Sequence, residues 1–282
     1  MKRVLLFLIV PALVAAFTLT GDTAYSKGPP AKAQPEYLAL GASYAFGFGA
    51  SDPATKGYVP LFRDFLESKD GLNKKGTDLL LNNLSFPGRT SSQINDEQLP
   101  VALLELQDRN TDKNKKNDVV VVTASSGGGG NDLLQFFFAS PEGEPCRLGD
   151  LIPCFEAVAD VLDTFEDNFE VTLESLREAA GPDTTIITQT FPNSFRRTGC
   201  APPELVALFD GVLEGIPGTP IEDGLNDITR SVAAAHDVKV AEIFFSPFLG
   251  NEDALILFPD CVHPNDDGYA LIAELFIDAF ND

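Results

Sequence analysis

Five short runs of apolar residues have the length and composition of buried β-strands. They lie at Tyr37–Leu40, Leu79–Leu84, Asp118–Thr123, Thr184–Thr190 and Val238–Ile243. The third run contains four consecutive valines, and an unbroken β-branched run is typical of a strand covered on both faces. The pattern therefore predicts the strands of one buried, parallel sheet.

Segments with helical periodicity separate these runs. They cover Tyr58–Ser68, Ser92–Gln107, Phe155–Ala180, Pro203–Glu214, Ile221–His236 and Asp267–Phe280. Strands that alternate with helices predict an α/β fold, in which a parallel sheet carries helices on both faces. The four-glycine tract Gly127–Gly130 directly follows the third strand, and we interpret it as a loop.

The first 26 residues have the pattern of a secretory signal peptide. Lys2 and Arg3 precede a mostly apolar stretch at residues 4–19, and small residues allow cleavage after Ser26. The apolar stretch is shorter than the roughly 20 residues that span a bilayer, although an uncleaved anchor is the alternative. The pattern predicts a secreted or periplasmic protein without a stable membrane anchor.

The remaining chain has the composition of one globular domain. A Pro-rich linker at residues 27–35 would precede a domain at residues 36–282. The formal charge of the whole chain is −22, which disfavours nucleic acid and anionic membrane surfaces as partners. No sequence feature requires an oligomer, so we expect a monomer.

Four cysteines remain after removal of the leader, namely Cys146, Cys154, Cys200 and Cys261. An even number in an exported protein favours disulfides, and four cysteines allow three pairings. The short separation of Cys146 from Cys154 favours a local bridge between them, which leaves Cys200 for Cys261. The spacings do not resemble a zinc site and the chain has only two histidines, so we expect no metal.

Ser43 and His263 are the candidate nucleophile and base. Ligands of an open parallel sheet bind beyond the carboxyl ends of its strands, and Ser43 directly follows the first strand. Asp260 lies three residues before His263, where its carboxylate can orient the imidazole as in serine hydrolases. The alternatives are a helix N-cap for Ser43 and a polar loop role for the other two residues.

Two further loops at the same predicted edge offer hydrogen-bond donors. Asn131 lies in Gly129-Gly130-Asn131-Asp132 after the third strand, and Gly88 lies in a Pro-Gly turn after the second. Acyl transfer needs donors for its oxyanion, which an Asn amide and backbone N–H groups supply. A helix cap and an ordinary turn are the alternative roles.

These four blocks, in this order, resemble the SGNH (GDSL-like) hydrolase superfamily. Ser43, Gly88, Asn131 and His263 match its four name-giving positions, and Asp260 matches the acid of its Asp-x-x-His block. The resemblance implies a flavodoxin-like three-layer α/β/α sandwich with a five-stranded parallel sheet. It also implies an oxyanion hole formed by the Ser43 N–H, the Gly88 N–H and the Asn131 side chain.

Two positions depart from the family pattern. Ala42 stands where the first block usually has Asp, so any hydrogen bond from that side chain is missing. The residues at 125–128 make the approach to Asn131 longer than the family pattern. Cys261 lies inside the Asp-x-x-His block, where a bridge to Cys200 would hold the catalytic loop.

The resemblance implies a serine esterase that hydrolyses carboxylic esters through an acyl-serine intermediate without a cofactor. Lipid or acyl esters and acetylated carbohydrates are both candidate substrates. Phenylalanines near the expected mouth favour an acyl or aryl group, although core packing explains them equally well. The rival interpretation is a non-catalytic carbohydrate- or lipid-binding protein that keeps this fold, and only Ala42 favours it.

Overall fold

The computed structural model describes residues 34–72, 78–110 and 118–282. The expected signal peptide and most of the expected linker lie outside these residues. The chain enters the sheet directly after Pro35, one residue before the first predicted strand begins.

Five parallel strands form one sheet in the order β2-β1-β3-β4-β5. Their bounds are β1 Glu36–Leu40, β2 Leu80–Asn83, β3 Val119–Ala124, β4 Thr185–Gln189 and β5 Lys239–Ala241. The order confirms the predicted α/β fold with a five-stranded parallel sheet. Each predicted strand is present, and the observed bounds differ from the predicted ones by one or two residues.

Helices cover both faces of the sheet. Along the chain they are α1 Ser43–Phe46, α2 Pro53–Lys56, α3 Tyr58–Leu66, α4 Ser91–Gln93, α5 Leu99–Arg109, α6 Gly127–Phe138, α7 Glu144–Leu148, α8 Leu151–Ala180, α9 Pro203–Glu214, α10 Leu225–Ala235, α11 Glu252–Leu255 and α12 Asp266–Asn281. A π-helical turn at Ile94–Gln98 joins α4 to α5. The predicted single helix Ser92–Gln107 is therefore wrong in this respect, because it is interrupted by the π turn.

Alternate residues of the strands point into two separate cores, as expected for a sheet buried on both sides. In β1, Leu38 and Leu40 contact the core under α5, α6, α8, α9 and α10. Tyr37 and Ala39 contact the second core, which lies under α1, α3 and α12. Both faces of β1 are fully buried. This double burial explains why the strands are apolar runs without polar alternation.

The glycine tract Gly127–Gly130 is the first turn of α6, so its prediction as a loop is wrong. Its neighbours leave no room for side chains. A Cβ on Gly128 would lie 2.8 Å from the Ser91 backbone, and one on Gly129 would lie 2.5 Å from the Phe165 ring. Glycine is a poor helix former, but here close backbone approach outweighs propensity.

Two disulfides join Cys146 to Cys154 and Cys200 to Cys261, the same pairs that the sequence predicts. The first links α7 to α8. The second connects the loop that follows β4 to the loop that precedes α12. None of the helices within the described ranges combines the length and the apolar character needed to cross a bilayer.

Candidate active site

Ser43 is the first residue of α1, at the carboxyl end of β1. The chain turns at Gly41, whose φ of 146° is unusual for residues with a side chain. The Ser43 carbonyl accepts hydrogen bonds from the N–H groups of Gly47 and Phe48. Within the described part of the chain, neither the Ser43 N–H nor its hydroxyl has a hydrogen-bond partner. Both groups are therefore available to a substrate.

His263 and Asp260 form a compact pair in the loop before α12. The Asp260 carboxylate lies 2.8 Å from His263 Nδ1, and the same oxygen accepts from the backbone N–H groups of Val262 and His263. Partial burial of Asp260 would raise its pKa, but these hydrogen bonds outweigh burial and lower the pKa below its usual value of 3.8. Asp260 is therefore ionised at neutral pH.

This arrangement fixes the orientation of the His263 ring. Because an ionised carboxylate only accepts, Nδ1 carries the proton that is donated to Asp260. The opposite nitrogen, Nε2, has no hydrogen-bond partner among the residues that the structure describes. A neutral imidazole in this tautomer can accept a proton at Nε2.

Tyr44 connects the loop of His263 to the turn of Ser43. Its hydroxyl donates a 2.7 Å hydrogen bond to the carbonyl of Val262, the residue before His263. Burial and the nearby Asp260 charge raise the pKa of Tyr44, so the hydroxyl keeps its proton. The Phe48 ring centroid also lies 4.7 Å from that of His263. Neither contact could be predicted from the sequence, because neither residue belongs to a motif.

Gly88 lies in an open part of the loop after β2. Its φ is 79°, and a Cβ built there would meet no atom within 4 Å. No acceptor for the Gly88 N–H occurs in the portion of the chain that is described. Phe86, two residues earlier, donates its N–H to the carbonyl of Gly41. The loop of Gly88 is thus attached to the turn that carries Ser43.

Asn131 lies one turn into α6 and faces the same loop. Its side-chain amide donates a 2.8 Å hydrogen bond to the carbonyl of Arg89, the residue after Gly88. A primary amide has two N–H groups, so one hydrogen remains for another acceptor. Neither Asn131 nor Asp132 caps α6, because the helix already begins at Gly127.

Asp132 supports the Gly88 loop. Its carboxylate accepts from the Ser91 N–H at 3.2 Å. Burial raises the pKa of Asp132, and the hydrogen bonds from Ser91 lower it by less, so the net shift is upward. Asp132 therefore forms a contact between α6 and α4.

The second histidine lies elsewhere. His236 directly follows α10, and its Nε2 lies 2.7 Å from a carboxylate oxygen of Glu170 on α8. This contact joins two helices on one face of the sheet, which is a structural role.

A comparison with protein families shows the family of the chain. The family model described as "GDSL-like Lipase/Acylhydrolase family" matches residues 39–271. The chain belongs to this family. The match begins within β1 and ends within α12, so it includes all four loops described above. Members of the GDSL-like family hydrolyse carboxylic esters, and this protein is a carboxylic ester hydrolase of that family.

Solved structures share the fold at low sequence identity. The lipase Lip_vut3 from a goat rumen metagenome is 19% identical with a TM-score of 0.60, and the match covers 87% of this chain and 97% of that one. A putative GDSL-like lipase from Parabacteroides merdae is 14% identical, with a TM-score of 0.56 and coverages of 88% and 96%.

A third structure is phospholipase A1 from Streptomyces albidoflavus. It is 17% identical with a TM-score of 0.52, and the match covers 87% of this chain and 99% of that one. No curated protein matches the sequence significantly. At such identities the solved structures show a shared fold, whereas the family match shows the enzyme class.

The two disulfides should affect activity differently. The pair Cys200→Ala/Cys261→Ala frees the loop of Asp260 and His263, so we expect kcat to fall by about tenfold or more. The matched control Cys146→Ala/Cys154→Ala removes a bridge between α7 and α8 and should keep kcat within about twofold. Initial rates of ester hydrolysis by the two purified variants check this.

Stability should change in both variants. Chain entropy predicts a loss of about 4 kcal/mol for the bridge that spans 61 residues and about 2.5 kcal/mol for the one that spans 8. Urea unfolding measures both values. Equal kcat values in two folded variants would show that the Cys200–Cys261 bridge does not position the loop of Asp260 and His263 for the reaction.

Proposed function

We propose that the protein is a secreted serine esterase in which Ser43 is the nucleophile, His263 the general base and Asp260 the orienting acid. One observation carries the proposal. The Asp260–His263 pair, with its free Nε2, is joined by the Tyr44–Val262 hydrogen bond to the turn on which Ser43 presents an unpaired hydroxyl. The turn that carries the nucleophile and the loop that carries the base are therefore joined by a hydrogen bond.

Acylation begins with attack of Ser43 Oγ on the ester carbonyl carbon, while its proton passes to His263 Nε2. The tetrahedral intermediate collapses when the imidazolium gives this proton to the leaving alkoxide, which departs as an alcohol. A water molecule then attacks the acyl-serine while His263 takes its proton. The second tetrahedral intermediate collapses when the imidazolium returns this proton to Ser43 Oγ, which releases the carboxylic acid and the free serine. The ionised Asp260 stabilises the imidazolium in both steps.

The oxyanion of each tetrahedral intermediate needs fixed donors. We assign this role to the Ser43 N–H, the Gly88 N–H and the second amide hydrogen of Asn131. Two observations support the assignment. The two backbone groups lack acceptors among the described residues, and Asn131 is held at the Gly88 loop by its bond to Arg89. A donor that is already oriented costs little reorganisation during the reaction.

The substrate that we propose is an ester with an acyl or aryl group. Large apolar side chains are exposed on the loops that carry the site residues, with exposures of 38% for Phe46, 43% for Phe48, 54% for Phe86 and 75% for Phe258. Phe48 also contacts His263. Apolar surface beside a reacting carbonyl favours an apolar substituent through the hydrophobic effect. Acetylated carbohydrate remains the second candidate from the sequence.

Export is supported by the disulfides. Two bridges among the four cysteines indicate an oxidising compartment. This agrees with a signal peptide at residues 1–26, a linker at residues 27–35 and a mature hydrolase domain at residues 36–282. We propose a monomeric enzyme in the periplasm or outside the cell.

The nucleophile is tested by Ser43→Ala. Since no other group then forms the acyl intermediate, kcat should fall by at least about 10³-fold, and labelling by a fluorophosphonate probe should be lost. Hydrolysis of p-nitrophenyl butyrate and mass spectrometry of the labelled protein measure both effects. Ser140→Ala, on a loop beyond α6, is the control and should behave as wild type. A folded Ser43→Ala variant that keeps the activity contradicts the assignment.

The oxyanion donor is tested by Asn131→Ala. The carbonyl oxygen carries full charge only in the tetrahedral intermediate, so loss of the donor should lower kcat by about 10²- to 10³-fold and change KM little. Steady-state kinetics separates the two parameters. Asp132→Asn, which keeps an acceptor for the Ser91 N–H, should lower kcat far less. Near-normal kcat in folded Asn131→Ala would mean that other groups bind the oxyanion.

The substrate class is tested by Phe48→Ala. If Phe48 contacts the acyl group, its removal should lower kcat/KM for p-nitrophenyl octanoate by about tenfold and leave the acetate ester within about twofold. Leu104→Ala, which removes an exposed apolar side chain from α5, is the control. Acetylated xylan is assayed beside the ester series. If acetate is released from xylan faster than any p-nitrophenyl ester of the series is cleaved, the carbohydrate candidate is favoured.

A further inference from the structure

Gly41, two residues before Ser43, forms a closed set of hydrogen bonds with one buried side chain. Its N–H donates to Gln98 Oε1 at 2.8 Å, and Gln98 Nε2 donates to the Gly41 carbonyl at 2.9 Å. Gln98 is only 4% exposed. A side-chain carboxamide thus pairs with both backbone groups of a single residue, as a neighbouring strand would.

These two bonds act on successive peptide planes. The Gly41 N–H belongs to the peptide unit shared with Leu40, and its carbonyl belongs to the unit shared with Ala42. Fixing both planes restricts the rotation that would move Ser43 relative to β1. Among the described residues, Gln98 provides the only side-chain hydrogen bonds to the backbone of residues 41–43. Ala42 offers no polar side chain for this purpose.

Gln98 also joins the nucleophile turn to the loop of Gly88. Both ends of the segment from Phe86 to Gln98 donate to the Gly41 carbonyl. The Phe86 N–H donates at 3.1 Å and Gln98 Nε2 donates at 2.9 Å. Gly88 lies between these two contacts. The relative position of the Ser43 hydroxyl and the Gly88 N–H therefore depends on this segment.

The segment itself is firmly anchored. Gln98 ends the π turn, and Asn95 within that turn donates to the carbonyl of Asn168 and accepts from Thr172, both on α8. The widened turn adds one residue to the helix and is a feature found at functional sites. The long helix α8 thus supports the position of Gln98.

We propose that Gln98 is a positioning residue, which holds the nucleophile turn in register with the oxyanion donors through its two hydrogen bonds to Gly41. This inference rests on the proposed esterase function. Gln98 is buried and both polar atoms of its side chain are bonded to Gly41, so its loss should lower kcat rather than substrate affinity.

The first test compares Gln98→Met with a matched control. Methionine is similar in length but forms neither hydrogen bond, so kcat for p-nitrophenyl butyrate should fall by about 10- to 100-fold with KM within about threefold. The control is Asn110→Leu. Asn110 likewise joins two backbone groups, the Val119 N–H and the Ala180 carbonyl, but at the amino end of β3. The Asn110→Leu substitution should lower the Tm about as much as Gln98→Met does and leave kcat within about twofold.

The second test uses Gln98→Glu and pH. A protonated carboxyl group can accept from the Gly41 N–H and donate to its carbonyl, whereas a carboxylate cannot donate. The kcat of this variant relative to wild type should therefore rise as pH falls from about 8 to about 6. A ratio that does not change over a pH range in which infrared spectroscopy shows the introduced carboxyl group to ionise would show that the donated bond has no effect on catalysis.

The two tests separate a failure of the positioning role from a failure of the esterase function. Gln98→Met with a kcat no lower than that of Asn110→Leu overturns the proposal. If Gln98→Met yields no folded protein, the pH dependence of Gln98→Glu decides alone. A wild-type protein that neither hydrolyses esters nor reacts with the fluorophosphonate would instead refute the esterase function, and the role of Gln98 with it. Active wild type with unaffected Gln98 variants refutes only the positioning role.

Discussion

The parallel direction of the five strands is the constraint on which the rest of the structure depends. All carboxyl ends lie at one edge, so residues that follow different strands meet there although they are far apart in sequence. Ser43 follows β1, Gly88 follows β2, Asn131 follows β3, and His263 lies in the long excursion after β5. The proposed site residues therefore lie in loops and in the first turns of helices, and their relative positions depend on contacts between these segments.

Two of the segments at this edge, those beyond β1 and β4, are anchored by buried polar side chains. Gln98 holds Gly41 beyond β1, and Asn226 holds Phe191 beyond β4 with the same geometry, accepting from its N–H at 2.6 Å and donating to its carbonyl at 3.0 Å. Both carboxamides are nearly fully buried. A buried backbone group without a partner costs about 1 to 3 kcal/mol, so each carboxamide both satisfies its loop and limits its movement.

The anchored loops also support one another. The Phe191 ring packs against Tyr44 with a centroid distance of 4.5 Å, and the Tyr44 hydroxyl holds Val262. A disulfide then joins the loop beyond β4 to Cys261. The contacts therefore connect the turn of Ser43 to the loop of His263 by two routes, one through the Tyr44 hydroxyl and one through the Phe191 ring and the Cys200–Cys261 disulfide. Such closed connections keep reacting groups in place better than any single contact does.

The strands of the sheet and the Asp260–His263 hydrogen bond were predictable, because buried strands and local contacts both leave a clear pattern in the sequence. The strands appear as apolar runs, and the Asp260–His263 pair is local, so three residues of spacing were enough to predict its hydrogen bond. The roles of Gln98 and Asn226 were not predictable. Each of these carboxamides pairs with a backbone that is remote in sequence, and such a contact leaves no periodicity or motif.

The glycine tract Gly127–Gly130 was incorrectly predicted as a loop, and the reason is again a contact between segments that are remote in sequence. Four glycines normally indicate a loop, yet here they form the first turn of a helix whose surface must admit another backbone. The Ser91 backbone occupies the space that a Gly128 side chain would need, and this approach allows the Asp132 carboxylate to bind the Ser91 N–H. One turn of glycine therefore brings α6 against α4, with Asn131 beside Arg89. Glycine is a poor helix former, but the absence of side chains in this turn allows the loop of Gly88 to approach Asn131.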